Sequence, residues 1–117
     1  MARLSTHVLD TSTGRPAAGV TLALYRLDGD HRTLVRTDRT NDDGRTDTPL
    51  LSGDTIPTGR YELLFQAGDY FRATSVSLPD PPFLDEIPLR FAIAEASGHY
   101  HVPLLLSPWS YATYRGS

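Results

Sequence analysis

The sequence predicts an all-β sandwich with one short helix. In most segments apolar side chains alternate with polar or small ones, the period of two that marks strands with one buried face. Turn-forming stretches separate these segments, as they do between the short strands of antiparallel sandwiches. The chain has 117 residues, of which 39% are hydrophobic and 21% charged. This size and composition are those of a single globular domain, so we expect residues 1–117 to form one domain.

The elements follow from this pattern in chain order. Alternation predicts strands at residues 3–9, 20–25, 33–37, 61–66, 87–94, 99–106 and 111–115. Gly, Pro, Asn and Asp predict turns at residues 13–16, 28–30, 41–44, 52–54 and 79–82. The segment Asp69–Val76 shows no alternation, and it begins with a residue suited to cap a helix. We expect a helix of about two turns there.

Composition excludes several classes of function. The formal net charge of −3 does not favour binding of a polyanion such as nucleic acid. The absence of cysteine excludes disulfides, a thiol nucleophile and a cysteine-ligated zinc ion. All 11 basic residues are arginine, so no lysine is present for Schiff-base chemistry or for a phosphate-binding loop.

Targeting signals are also missing from the sequence. The longest apolar run, Val102–Leu106, is far shorter than the roughly 20 residues that cross a bilayer. The first residues lack the apolar core of a secretory signal, and the last three residues do not match a peroxisomal targeting signal. We therefore expect a cytoplasmic protein with no membrane partner.

Histidines are the first candidates for chemistry, because imidazole exchanges protons near neutral pH. His31 follows a turn and is expected in solvent. His7 shares a strand face with Ser5, opposite the more apolar face of that strand. His99 and His101 point to one side of their strand, because residues two apart do so.

The face that carries His99 and His101 also carries Pro103 and Leu105, while the opposite face is expected in the core. This outer face is too apolar to be exposed to water, and a two-layer sandwich has only one core in which to bury apolar side chains. A second subunit is the simplest cover for it. The two histidines with His7 could ligate zinc, or they could be metal-free acid/base groups or hydrogen-bonded interface residues.

Two further features complete the candidate site. Arg45 ends the turn formed by residues 41–45, and its guanidinium offers a planar fork of donors suited to a planar anion or a lactam carbonyl. The terminal segment follows Trp109 and carries Tyr111 and Tyr114 before Ser117. It is either an ordinary last strand or an end held in a site to which the Ser117 hydroxyl and carboxylate contribute.

Several motifs together resemble the 5-hydroxyisourate hydrolases, the enzyme branch of the transthyretin-like proteins, from residue 4 to the last residue. The motifs are Ser-Thr-His-Val-Leu-Asp-Thr at 5–11, Gly-Arg-Pro-Ala-Ala-Gly-Val at 14–20, Asn-Asp-Asp-Gly-Arg at 41–45, His-Tyr-His-Val-Pro-Leu-Leu-Leu-Ser-Pro at 99–108 and Tyr-Arg-Gly-Ser at 114–117. The terminal motif is the most specific, because it separates the enzymes from the hormone carriers. The chain departs from the family at Trp109-Ser110, where Gly usually follows an aromatic residue, and in the Pro79–Pro82 loop.

This resemblance implies a prealbumin-type sandwich of two four-stranded antiparallel sheets, and a homotetramer (a dimer of dimers) with sites in a channel between dimers. It implies metal-independent hydrolysis of the lactam of 5-hydroxyisourate, a product of urate oxidation, to the ureidoimidazoline carboxylate, with no cofactor. His7, Arg45 and His101 match the family's catalytic residues. Ser117 and Tyr114 match its C-terminal contribution, Ser117 to catalysis and, with Tyr114 and Arg45, to substrate binding. His99 has no catalytic role in the family.

Two alternatives remain open at this point. A transthyretin-like carrier would bind an apolar or aromatic ligand in the channel without turnover. A zinc hydrolase would use His7, His99 and His101 as ligands.

Overall fold

A computed structural model describes residues 1–74 and 77–117 of the chain and confirms the all-β sandwich with one short helix. The elements are β1 (Ala2–Asp10), β2 (Arg15–Pro16), β3 (Thr21–Asp28), β4 (His31–Arg39), β5 (Leu51–Gly53), β6 (Gly59–Gln66), α1 (Ala67–Ala73), β7 (Glu86–Ile93), β8 (His99–Leu106) and β9 (Tyr111–Thr113). No helix in these two ranges is long and apolar enough to cross a membrane.

The two sheets differ in their strand pairing. One sheet has the order β4-β3-β6-β7 and is antiparallel throughout. The other has the order β2-β1-β8-β9, with β5 also paired to β1, and here β1 and β8 run parallel. The two-sheet sandwich is as expected, but the β1–β8 pair is parallel instead of antiparallel, and β5 gives this sheet a fifth strand. Strands from opposite ends of the chain can run parallel because the intervening sheet supplies the long crossover that parallel pairing needs.

The core lies between the sheets and is made by alternate residues of the long strands. Tyr61, Phe65 and Leu63 of β6 are almost fully buried, as are Leu104 and Leu106 of β8. Each strand thereby keeps one face in the core and one face away from it. This arrangement leaves the outer face of β1 and β8 available for a site.

The parallel register of β1 and β8 fixes what lies on that outer face. Ser5 lies opposite His101, and His7 lies opposite Pro103. Thr6 and Val102, which alternate with them, are buried on the core side. The predicted orientation of His7 and of the His99/His101 pair is therefore confirmed.

The helix begins earlier than expected. It starts at Ala67, directly after β6, and Asp69 lies in its first turn instead of capping it. Tertiary contacts decide this boundary: the Gly68 amide donates to the Asp85 carbonyl at 2.9 Å, and a Cβ at Gly68 would lie 2.2 Å from Asp85 Oδ1. The helix ends at Ala73, and the predicted end at Val76 lies outside the described residues.

A buried hydrogen bond joins the helix to the end of β1. The Tyr70 hydroxyl donates to Asp10 Oδ2 at 2.8 Å, and the backbone and hydroxyl of Ser12 donate to Asp10 Oδ1 at 3.0 and 2.5 Å. Burial and this carboxylate raise the pKa of Tyr70, so its hydroxyl stays protonated and remains a donor. The contact fixes the last residue of the strand that carries Ser5 and His7.

Candidate active site

A polar cavity of about 230 Å³ opens on the outer face of β1 and β8. Its lining residues are Arg3, Ser5, Arg45, His99, Tyr100, His101 and Ser117. They come from β1, from the turn that follows β4, from β8 and from the C-terminal segment. Four chain segments that are distant in sequence thus meet at one point.

Arg45 is held by a tight turn. The Asn41 side-chain oxygen accepts hydrogen bonds from the backbone amides of Asp43 and Arg45, at 2.9 and 3.2 Å. The Asn41 amide in turn donates to the Arg45 carbonyl at 2.7 Å. Asn is favoured in such turns because its side chain can replace a backbone partner.

The same turn is docked onto β1 through Gly44. The Val8 amide donates to the Gly44 carbonyl at 2.8 Å, and His7 forms a β-bridge with Arg45. Gly44 has φ +75°, and a Cβ there would lie 2.4 Å from the Val8 carbonyl oxygen. Both conditions require glycine. This contact places the Arg45 backbone beside His7.

His7 is a half-buried imidazole whose charged form is disfavoured. Partial burial and the Arg45 guanidinium lower its pKa, while a polar contact with the Asp43 backbone and the Asp43 charge oppose this effect. His7 is not among the residues that line the cavity, although it lies beside Arg45. It is therefore neutral at neutral pH and adjoins the cavity through its neighbour.

His101 lies at the centre of the site. Its Nδ1 is 2.8 Å from the Ser5 hydroxyl oxygen. Partial burial lowers its pKa, and the positive charges of Arg45 and Arg3, and of His7 whenever that ring is protonated, lower it further. Three of the four predicted catalytic residues, His101, His7 and Arg45, therefore lie close enough to influence one another electrostatically.

The C-terminal segment returns to the cavity. The Gly116 amide donates to the His101 carbonyl at 2.8 Å, which continues the sheet by one bridge beyond β9. Arg115 stacks over the Tyr100 ring at 4.3 Å and donates to the His99 carbonyl at 3.3 Å. These contacts hold Ser117 at the cavity, where it is one of the lining residues.

Tyr114 takes a different position. Its side chain is 60% exposed, and it lines a separate, more apolar cavity of about 350 Å³ together with Phe91 and Val102. The single chain therefore does not bring Tyr114 into the cavity that holds Arg45 and His101. Trp109, also exposed, packs against Phe83 with the ring centroids 5.9 Å apart.

The histidines of the zinc alternative do not gather around a common point. His99 lines the cavity, but its Nε2 is hydrogen-bonded to the Met1 carbonyl oxygen. Within residues 1–74 and 77–117, no three His, Cys, Asp or Glu side chains are close enough to hold one metal ion. The zinc alternative thus lacks a ligand set in the described part of the chain.

Sequence reasoning did not identify Arg3 and Ser5 as residues of the site. Both lie on the strand face of His7, Arg3 four positions and Ser5 two positions before it, so the alternation along β1 already placed them beside His7. Arg3 adds a second guanidinium to the cavity, and Ser5 adds a hydroxyl on the His101 ring. The cavity can therefore bind a small planar anion between cations and exchange a proton with it through neutral imidazole.

Comparison with known proteins agrees with this chemistry. The sequence model of the HIUase/Transthyretin family matches residues 4–116. A curated relative from Rhizobium meliloti (strain 1021), 5-hydroxyisourate hydrolase 2, is 64% identical over 115 residues, which are 98% of this chain and 96% of the relative.

Two solved structures share the fold. The Klebsiella pneumoniae 5-hydroxyisourate hydrolase has a TM-score of 0.82 and 36% identity, and the match covers all of both chains. An (S)-allantoin synthase has a TM-score of 0.92 and 47% identity over 99% of this chain. The match covers 44% of the synthase chain, so this chain spans less than half of that protein.

Proposed function

The chain belongs to the HIUase/Transthyretin family, and we propose that His7, His101 and Arg45 carry out its chemistry, the hydrolysis of the lactam of 5-hydroxyisourate. Its activity is that of a purine-degrading hydrolase. The product is the ureidoimidazoline carboxylate. The observation that supports the mechanism is that Arg45 is bridged to His7 and lines the same cavity as His101, on the outer face of β1 and β8.

The reaction begins with attack of water on a carbonyl that its amide nitrogen deactivates. One imidazole takes a proton from the water as the oxygen–carbon bond forms, giving a tetrahedral oxyanion. The carbon–nitrogen bond then breaks, and the nitrogen takes a proton as it leaves. General acid–base transfer of this kind contributes about 10²–10⁴ to the rate.

His7 and His101 suit proton transfer from water because both imidazole rings are neutral at neutral pH. A base must have its lone pair free, and the lowered pKa values of His7 and His101 keep both rings unprotonated at neutral pH. The ring that takes the proton from water becomes an imidazolium, and this imidazolium is the donor to the leaving nitrogen, while the second, neutral ring orients the reacting groups.

Arg45 stabilises the charge that the histidines help to create. Its guanidinium binds the planar substrate and faces the oxyanion as negative charge develops there. Arg3, which lines the same cavity, is a second cation for the carboxylate formed on ring opening. Ser117 contributes to catalysis and to substrate binding in this proposal. Tyr114 lines a separate cavity of the single chain, so its contribution to substrate binding is proposed for the assembled protein.

We also place the site in a homotetramer, in the channel between dimers, as the resemblance implies. The support from this chain is its exposed apolar surface: Trp109, Tyr111 and Tyr114 in and around β9 are 59%, 44% and 60% exposed. Aromatic surface of this kind is typical of a contact with another subunit. Light scattering after size exclusion tests the assembly, and a monomer with full turnover would contradict it. The cytoplasmic location and the single domain over residues 1–117 stay predictions.

The test of the mechanism is the decay of freshly generated 5-hydroxyisourate, followed by absorbance with and without protein. His101→Ala and Arg45→Ala should each lower kcat/KM at least about 100-fold, while circular dichroism stays unchanged. The matched controls are His31→Ala and Arg15→Ala, which remove an exposed imidazole and guanidinium outside the cavity and should keep full activity.

Near-normal turnover in either site variant would overturn the assignment. A chelator should leave the wild-type rate unchanged, because no step uses a metal ion. Loss of activity with the chelator, and recovery with zinc, would favour the zinc alternative instead.

A further inference from the structure

The hydrogen bond between Ser5 and His101 is the most specific contact in the site that the mechanism above does not use. The parallel register of β1 and β8 puts the two residues directly opposite each other, although they are 96 positions apart in sequence. Their side chains share the outer face, and the Ser5 hydroxyl oxygen lies 2.8 Å from Nδ1. Both side chains are half-buried, so water competes less well for this bond than at the open surface.

The other edge of the His101 ring is held by the C-terminal segment. A Cβ built on Gly116 would lie 2.5 Å from His101 Cδ2 and 3.1 Å from Cγ, so the glycine backbone packs closely on that edge. Ser5 contacts the ring on the Nδ1 edge, and Gly116 contacts it on the Cδ2 edge. Nε2 is then the ring nitrogen that the described residues leave without a hydrogen-bond partner.

The tautomer of His101 follows from what the reaction needs. As a base, Nε2 must begin with its lone pair free, which requires the proton of the neutral ring to be on Nδ1. As an acid, the imidazolium carries protons on both nitrogens and gives up the one on Nε2. In either role Nδ1 keeps its proton, so its partner must be able to accept a hydrogen bond throughout.

We infer that Ser5 is a positioning residue for the reaction: its hydroxyl oxygen accepts the Nδ1–H of His101, which leaves Nε2 as the atom that exchanges the proton with water or substrate. The inference rests on the proposed function, since it assigns an orientation to a residue that the mechanism employs. Its physical basis is the one that fixes catalytic imidazoles in general, a second partner that selects the tautomer and the ring angle.

The charges around the ring are compatible with this role. Arg3 and His7 face it from β1, and Arg45 faces it from the turn after β4. His99 and Ser117 line the same cavity. The guanidinium groups disfavour the imidazolium, so the resting His101 ring is neutral. Its single ring proton then lies on either Nδ1 or Nε2, and the partner of Nδ1 determines which.

The kinetic test compares Ser5→Ala with Ser5→Thr, which keeps the hydroxyl. Loss of one hydrogen bond should lower kcat about fivefold to tenfold in Ser5→Ala, with KM changed by less than about twofold. Ser5→Thr should recover most of the rate. Ser52→Ala removes an exposed hydroxyl from the neighbouring strand β5 and serves as the control with wild-type kcat.

A second readout reports the tautomer directly and needs no turnover. Two-bond proton–nitrogen NMR correlations of the ¹⁵N-labelled wild-type protein should show His101 with its proton on Nδ1. In Ser5→Ala the two tautomers should be mixed, and Ser5→Thr should restore the first. If Ser5→Ala does not fold, the wild-type spectrum alone decides.

The outcomes separate this inference from the mechanism that it deepens. A wild-type ring protonated on Nε2, or a kcat of Ser5→Ala equal to wild type, would overturn the role of Ser5 while leaving His101 catalytic. Full activity of His101→Ala would instead overturn the proposed mechanism.

Discussion

Gly116 offers the sharpest test of how the C-terminal segment and His101 depend on each other. The perturbation is a single methyl group, Gly116→Ala. The new carbon would lie 2.5 Å from His101 Cδ2, whereas ordinary contact begins at 3.4 Å, so the two must separate by about 1 Å. Either the imidazole ring moves away from Ser5, or the segment that carries Ser117 leaves the cavity.

Both movements damage the proposed site. A displacement of about 1 Å of a reacting group costs about 100-fold in rate, so we expect kcat/KM to fall by that factor. The loss should be in kcat if the ring moves and in KM if the segment moves. The fold should hardly change, because Gly116 lies beyond the last strand and joins the sheet through a single bridge to His101, and we expect the thermal midpoint to stay within about 4 °C of wild type.

The assay is again the catalysed decay of fresh 5-hydroxyisourate, with thermal unfolding measured on the same preparation. Ala112→Ser adds one heavy atom at an exposed position of β9 and is the matched control. A Gly116→Ala protein with wild-type kcat and KM would refute the close packing of the segment on His101. Loss of activity together with a collapse of the thermal midpoint would refute the separation of site from fold.

Three further predictions follow from the site and its surroundings. Burial and the Arg45 charge lower the pKa of His101, so the midpoint of the fall in kcat/KM on acidification should lie below pH 6.5. Arg45→Gln should move that fall to higher pH in a pH–rate profile. A tag fused after Ser117 should abolish turnover, because the cavity of about 230 Å³ has no room for more residues. A tag at the N-terminus should be tolerated, and equal rates for the two tagged proteins would contradict this prediction. Tyr70→Phe removes a donor from the buried Asp10 carboxylate and should lower the free energy of unfolding by about 1–3 kcal/mol in urea titrations.

Much of this architecture could be predicted from the sequence, because most of its long strands have one face buried in the core and one face directed away from it. Strand β8 was predicted at residues 99–106 and spans His99–Leu106, and the outer position of His101 follows from the period of two alone. The short strands β2 and β5 were missed, since two or three residues give no alternation and both fall within or beside predicted turns. Their pairing with β1 comes from contacts far away in the chain.

Pairing was the part of the site that the sequence alone could not provide. Nothing local to Ser5 or His101 indicates that their strands are neighbours, that they run parallel, or that these two residues lie opposite each other. The position of Arg45 beside His7 likewise depends on the docking of a turn onto β1. Only the family resemblance indicated that His7, Arg45 and His101 belong to one site, and it did not assign Arg3 or Ser5 to that site.

The parallel pairing of β1 with β8 also has a consequence for how the protein acquires activity. It joins residues 96 positions apart, and closing so long a loop costs conformational entropy that few early contacts offset. Sandwiches dominated by such non-local contacts fold in milliseconds to seconds, much more slowly than helical bundles. Catalytic competence should therefore be among the last properties to appear during refolding, after most of the fluorescence or circular dichroism change is complete.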